Sequence, residues 1–264
     1  GLHRRLRERS AGQGLRDMEV PRLQPGQVVL LDIEGTTTPI SFVHDVLFPF
    51  AREHVKQHLL DTWDTEETTQ DVKDLLQQAR EDGEEEGQVT AQVDSLVQYI
   101  HRCMDGDRKV TALKQLQGHV WRAGYHSGQL KGDLFPDVVP FLQGCAAASI
   151  PVCIYSSGSV AAQKLLFGHS AQGGDLLPLF HAHFDTTVGG KREADSYRKI
   201  CAHLEVPPEA VIFLTDIFEE AEAAAQAGCL PVLSVRPGNA PLSEGQSNSF
   251  PFVEEFCCLL PPSS

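Results

Sequence analysis

The sequence predicts an α/β protein with a doubly wound, mostly parallel sheet and an inserted helical cap. Four short apolar runs predict strands, and they span Val28–Leu31, Val152–Tyr155, Val211–Leu214 and Leu230–Val235. The runs are continuous rather than alternating, which is typical of parallel strands that are covered on both faces. Helical patterns follow the later runs, and this strand–helix repetition favours a doubly wound sheet.

The elements between these strands complete the predicted α/β core. Helices are expected at Phe135–Ala148, Val160–Phe167, Asp195–His203 and Glu219–Ala227. Residues 181–189 form a weaker candidate for one further strand.

Residues 41–134 break the strand–helix rhythm, because they contain helical patterns and no convincing strand. Amphipathic spacing predicts helices at Phe42–Leu60, Val93–Cys103 and Val110–Tyr125. An acid-rich stretch at residues 81–86 predicts a solvated loop.

The resulting domain prediction is an α/β core of residues 24–40 and 135–258 with a helical cap, residues 41–134. Such a lid would exclude bulk water and restrict the choice of substrate. The alternative is a separate packing domain without a part in catalysis. Residues 1–23 are expected to be a disordered N-terminal extension.

Composition excludes some classes of function. The 264 residues include 22 Lys and Arg against 36 Asp and Glu, a net charge of −14, whereas a general nucleic-acid-binding protein needs a basic surface. No apolar run is long enough to span a membrane. The seven cysteines are odd in number and lack metal-binding spacing, which is typical of reduced thiols. We expect a monomer in the cytoplasm, with the nucleus as a further location, and neither nucleic acid nor membrane as a partner.

Polar residues stand where the predicted strands end. In open α/β sheets, ligands bind at the carboxyl ends of the strands, so these residues are expected to meet at one edge. Each of them alone has an ordinary interpretation as a helix cap or a solvated side chain, but their shared placement favours a site. The candidates are Asp32, Glu34, Ser156, Ser157, Lys191 and Asp216.

Five segments of the chain resemble the ordered motifs of the haloacid dehalogenase (HAD) phosphatase superfamily, and its enolase-phosphatase E1 branch in particular. They are DIEGTTTPI (32–40), IYSSGSVAAQKLLFGHS (154–170), GGKREADSYRKI (189–200), LTDIFEEAEAA (214–224) and VRPGNA (235–240). The match spans residues 28–240, including the cap helix at 111–124. Glu34 departs from the superfamily pattern, which has Asp there, and Phe218-Glu219 is unlike the small polar and basic residues expected after Asp216.

This resemblance implies a HAD-like core and an acireductone synthase. The implied substrate is 5-methylthio-2,3-dioxopentyl 1-phosphate, a phosphorylated diketone that is first enolised and then loses its phosphate. Asp32 is expected to be the nucleophile and Glu34 the general acid–base group. Substrate binding is assigned to Ser156, Ser157 and Lys191, and one Mg²⁺ ion per subunit to the ligands Asp32, Glu34 and Asp216.

Three alternatives remain beside this interpretation. One is a HAD phosphatase that acts on another small phosphate ester. A second is a phospho-acceptor or interaction module without turnover, although the acid–base group Glu34 would not suit a stable acyl phosphate. The third is a nucleotide-binding domain, which the absence of a GxGxxG motif from the first strand–helix turn disfavours.

Overall fold

The computed structural model of the chain describes residues 20–84, 87–106, 108 and 110–262. These residues form two compact units. Of the described residues, the α/β unit comprises residues 20–38, Phe135–Ser157 and residues 179–262. The helical unit comprises the described residues between Pro39 and Leu134 together with Gly158–Pro178.

The α/β unit contains a six-stranded parallel sheet. Its strands are β1 (Val28–Leu31), β2 (Val152–Tyr155), β3 (Ala182–Phe184), β4 (Val211–Thr215), β5 (Leu230–Ser234) and β6 (Phe252–Val253). They lie in the order β3-β2-β1-β4-β5-β6, and every neighbouring pair is parallel. The predicted doubly wound α/β class is therefore confirmed.

Ten α-helices belong to the described residues. In chain order they are α1 (Ile40–Phe42), α2 (Phe48–Thr62), α3 (Glu66–Glu81), α4 (Val93–Asp105), α5 (Thr111–His126), α6 (Val138–Ala147), α7 (Val160–Gly168), α8 (Ala194–His203), α9 (Phe218–Ala227) and α10 (Glu244–Ser247). A π-helical turn, Val43–Leu47, joins α1 to α2. None of these helices combines the length with the apolar character that crossing a bilayer requires.

The core of the α/β unit explains the continuous apolar runs. All residues of β1, β2 and β4 are buried, since both faces of these central strands are covered. On one face, Leu30 and Phe213 pack in a cluster with Tyr197 and Ile200 of α8 and Ala224 of α9. Fully burying one large apolar side chain stabilises the fold by about 1.5–3 kcal/mol, so the sheet is fixed mainly by these contacts.

The ends of the α/β unit differ from the prediction in two places. The predicted N-terminal extension comprises residues 1–23, of which residues 1–19 lie outside the described residues. Leu23, at the end of the predicted extension, is 1% exposed, and its amide donates to the Leu259 carbonyl over 2.8 Å. Ordered structure therefore starts before residue 24. The edge strand β6 was not predicted, because two residues are too few to show a periodic pattern.

The helical unit has its own apolar core. Leu59 of α2, Leu75 of α3, Ile100 of α4 and Leu116 of α5 are fully buried there. The helix predicted at Phe42–Leu60 is divided, because the π-helical turn Val43–Leu47 separates α1 from α2. The predictions for α4 and α5 are confirmed to within two residues, whereas α3 was not predicted. Its signals are an N-terminal cap by Thr65, which accepts a hydrogen bond from the Thr68 amide, and apolar residues in the spacing of a helix face.

Residues 158–178 were expected in the α/β core, but their contacts place them with the helical unit. The reason is backbone pairing: the Gly132 amide donates to the His169 carbonyl and the Ala171 amide to the Gly132 carbonyl, both over 2.8 Å. The assignment of residues 41–134 as a cap stays a prediction.

Candidate active site

The candidate site begins where the sheet changes direction. β1 lies between β2 and β4, and successive strands are added outward on both sides of it, so the switch point falls at the ends of these strands. The Asp32 amide donates to the Leu214 carbonyl over 2.9 Å and continues the ladder past the last residue of β1. The Asp32 side chain is thereby placed beside Thr215 of β4.

Lys191 and the two carboxylates that contact it form a buried cluster. Its Nζ lies 2.6 Å from Asp32 Oδ1 and 2.7 Å from Glu220 Oε2, and the side chains of all three residues are at most 11% exposed. The Thr215 hydroxyl lies 2.9 Å from Glu220 Oε2 and 3.3 Å from Asp32 Oδ2. The two Asp32 oxygens are therefore unequal. Oδ1 accepts from the Lys191 ammonium and from the Ile33 amide, while Oδ2, among the described residues, has one longer contact, with the Thr215 hydroxyl.

The charged groups of this cluster shift one another's pKa values. Burial opposes the charged form of Lys191, but Asp32 and then Glu220 outweigh burial, and the pKa of Lys191 is raised above its ordinary value. Burial, followed by the negative charge of Asp32, raises the pKa of Glu220. The Lys191 ammonium thus forms ion pairs with two buried carboxylates. Because burying these charges removes them from water, the ion pairs orient Asp32 but add little to the free energy of unfolding.

Asp216 is a third carboxylate at this edge. Burial and then the charge of Asp32 raise its pKa to about 7. A Cβ atom built on Gly35 would lie 2.6 Å from Asp216 Cγ, and Gly35 has a φ of +73°. Only glycine suits both the close approach and this left-handed conformation, so Gly35 lets the loop after β1 lie against the Asp216 carboxylate.

Asp32 and Asp216, two of the three expected metal ligands, suit a hard cation such as Mg²⁺. Asp216 Oδ1 is buried and has no hydrogen-bond partner among the described residues, a state that costs free energy unless a cation or another donor meets it. Mg²⁺ commonly uses one or two carboxylates and takes its other oxygens from substrate phosphate and water. Within residues 20–84, 87–106, 108 and 110–262, no group of three or more His, Cys, Asp or Glu side chains is arranged to hold a metal. Asp32 and Asp216 are the two side chains that fit such a site, and the assignment of Asp32, Glu34 and Asp216 as metal ligands stays a prediction.

The remaining predicted residues lie at the same edge. Glu34 is partly exposed in the loop after β1, where its backbone forms a bridge with Thr38. Ser156 is buried directly after β2, and its amide donates to the Phe184 carbonyl over 3.2 Å. Ser157 is the next residue and is exposed. The structure therefore brings the ends of β1, β2 and β4 together, as the strand pattern predicts.

Four residues of this region have no role in the predicted site. Glu220 stands four residues, about one helical turn, after Asp216, and this spacing was an available signal. Thr215 precedes Asp216 directly. Tyr197 Oη donates to the Lys191 carbonyl over 2.6 Å and Tyr155 Oη to the Gly189 carbonyl over 2.9 Å, so two hydroxyls hold the loop that carries Lys191. No local pattern marks either tyrosine as more than a core residue.

Comparisons with known proteins agree with this geometry. Residues 27–228 match the family model of the haloacid dehalogenase-like hydrolases. The chain is 49% identical over 248 residues to enolase-phosphatase E1 of Branchiostoma floridae, covering 87% of this chain and 82% of that protein. It is 49% identical over 245 residues to enolase-phosphatase E1 of Drosophila virilis, covering 92% and 98%.

Among solved structures, the UTR4 protein of Saccharomyces cerevisiae superposes with a TM-score of 0.71 at 36% identity. The match covers 87% of this chain and 97% of that one.

Proposed function

This chain belongs to the haloacid dehalogenase-like hydrolases and, within them, to the enolase-phosphatase E1 family, and from this membership we propose the reaction it catalyses. The proposed reaction converts 5-methylthio-2,3-dioxopentyl 1-phosphate into phosphate and the acireductone 1,2-dihydroxy-5-methylthiopent-1-en-3-one, a step of methionine salvage. The observation that carries the proposal is the buried Asp32, which Lys191 orients at the switch point of the sheet.

In the dephosphorylation step, Asp32 is the nucleophile. We expect its Oδ2 to attack phosphorus, because Oδ1 is engaged by Lys191 and the Ile33 amide. An O–P bond to Asp32 forms while the ester O–P bond breaks, and Glu34 gives a proton to the leaving oxygen. Glu34 then takes a proton from water, which attacks the aspartyl phosphate and releases inorganic phosphate and free Asp32.

Charge is balanced by groups already placed at the site. The Lys191 ammonium offsets negative charge on the transferring phosphoryl group, and Ser156 and Ser157 are proposed to bind its oxygens. Asp32 and Asp216 would hold Mg²⁺, which supplies Lewis-acid stabilisation of phosphate and enediolate oxygens when it is bound.

Enolisation, the preceding step, requires removal of a proton from carbon. Glu34 and Ser157 are the candidates for this base, with Ser157 favoured as a substrate contact. The longer arm of Glu34, compared with the Asp of the superfamily pattern, is the feature that suits a second task at carbon.

The decisive experiment follows ultraviolet absorbance of the enediol and phosphate release together on the diketo-phosphate. An acireductone synthase gives both signals, and Asp32→Asn, the control, releases no phosphate. Phosphate release without an enol intermediate would instead indicate a phosphatase for another ester. Absence of both signals would favour an interaction module.

A further inference from the structure

Arg236 is a buried cation outside the cluster around Lys191. It follows β5, is 5% exposed, and its guanidinium carbon lies 4.7 Å from the ring centre of Phe135 and 4.0 Å from that of Phe256. Its Nη1 donates to Asp137 Oδ1 over 2.9 Å and to the Glu254 carbonyl over 2.6 Å. Ring stacking and an ion pair thus fix the guanidinium in one orientation.

A further Arg236 donor, Nε, reaches the loop that carries the proposed catalytic residues, while Nη2 is buried and has no hydrogen-bond partner among the described residues. We call residues 32–38 the nucleophile loop. Arg236 Nε donates to the Thr36 carbonyl over 3.0 Å, and Asn239 Nδ2 donates to the Gly35 carbonyl over 2.8 Å. Two side chains from the segment after β5 therefore donate hydrogen bonds to two consecutive carbonyls of this loop. The donors follow these carbonyls in the chain by about 200 residues.

The Gly35 and Thr36 carbonyls lie close in the chain to the residues that carry the proposed reaction. Asp32 and Glu34 precede them in the same loop, and a Cβ built on Gly35 would lie 2.6 Å from Asp216 Cγ, so the loop lies close against that carboxylate. Within the loop, the amides of Thr36, Thr37 and Thr38 all point to the Ile33 carbonyl at 2.8–3.1 Å, a tight turn that leaves the outward carbonyls to other donors. A shift of about 1 Å in a catalytic group can cost about 100-fold in rate, so holding this turn matters for turnover.

We propose that Arg236 and Asn239 are positioning residues, which hold the nucleophile loop in its reactive geometry. The inference rests on the proposed function, because it concerns the loop that bears Asp32 and Glu34. A purely structural role would make both residues matter for stability alone. Asn239 separates the two roles, since it is only partly buried and its amide contacts are to the Gly35 carbonyl and, at 3.4 Å, the Ser234 carbonyl.

The test compares Asn239→Asp with Asn248→Asp, the same chemical change at an exposed position of the same unit. Asn239→Asp puts a carboxylate oxygen against the Gly35 carbonyl in place of the donor. We expect kcat to fall about 10- to 100-fold with KM changed less than about threefold, because the misplaced group acts in the transition state. Asn248→Asp should keep both constants. A kcat within about twofold of the unaltered enzyme for Asn239→Asp would overturn the proposal.

Hydrogen exchange supplies a readout that needs no substrate. Amides 33–38 should exchange at least about tenfold faster in Asn239→Asp, while the amides of β2 keep their rates. Loss of kcat with unchanged exchange of the loop would also overturn the positioning role. Arg236→Lys keeps the charge but loses the planar fork, so it should show the same local loosening; if it fails to fold, Asn239→Asp still decides.

The two proposals fail in different ways. An unaltered enzyme that hydrolyses p-nitrophenyl phosphate but not the diketo-phosphate would refute the proposed substrate, and the kcat ratio on p-nitrophenyl phosphate would then test the positioning role. If neither compound is hydrolysed, the function is refuted and loop exchange alone decides whether Arg236 and Asn239 hold the loop. Unchanged exchange in that case refutes the second proposal as well.

Discussion

Removing the hydroxyl of Tyr197 tests how the site holds Lys191. Tyr197 is fully buried, and its Oη donates to the Lys191 carbonyl over 2.6 Å. Tyr197→Phe keeps the ring, which packs edge-on against Tyr155 with centroids 5.5 Å apart. The change therefore removes one hydrogen bond and leaves a buried carbonyl without this donor.

The expected loss in the free energy of unfolding is about 1–3 kcal/mol, the cost of leaving one buried polar group unsatisfied. At about 2–4 °C per kcal/mol for a protein approaching this size, the melting temperature should fall by roughly 2–12 °C. The loop should also loosen its hold on Lys191 and, through it, on Asp32. We expect phosphate release to slow by about 10- to 100-fold.

Tyr125→Phe is the matched control. Tyr125 is 3% exposed, but its Oη has no hydrogen-bond partner among the described residues. The same deletion there removes an unsatisfied polar group and should leave stability unchanged or raise it. Urea unfolding followed by circular dichroism, together with phosphate release, measures both variants. Equal stability and equal rates for the two variants would refute the reasoning.

Three further predictions concern the groups nearest the reaction. Glu34→Gln should lower phosphate release by about 10²- to 10⁴-fold, the usual contribution of an acid–base group. If absorbance shows that an enol-phosphate accumulates, another base removes the proton from carbon. A wild-type rate of phosphate release would remove Glu34 from the mechanism. Activity should vanish in EDTA and return with Mg²⁺ but poorly with Ca²⁺, which is larger and tolerates looser geometry; full activity in chelator would contradict the roles of Asp32 and Asp216. Gly35→Ala should weaken Mg²⁺ binding in calorimetry at least about tenfold, because its Cβ would lie 2.6 Å from Asp216 Cγ; unchanged affinity would refute that contact as a constraint.

The sequence by itself determined the α/β class and the sheet edge where the candidate site lies. Continuous apolar runs mark β1, β2, β4 and β5, because strands covered on both faces need apolar residues at every position. Polar residues that end these runs fall at one edge by the geometry of a parallel sheet. The strand pattern alone therefore places Asp32, Ser156 and Asp216 at this edge.

Only the tertiary structure decided which side chains touch. Thr215 lies 183 residues after Asp32 in the chain, and Arg236 lies 200 residues after Thr36, yet each pair shares a hydrogen bond. Periodicity describes neighbours within one helix or strand and carries no information on contacts between distant segments. The Lys191 cluster and the hydrogen bonds from Arg236 and Asn239 to the nucleophile loop depend on strand order and register. Strand order and register are in turn fixed by the burial of apolar side chains across the whole sheet.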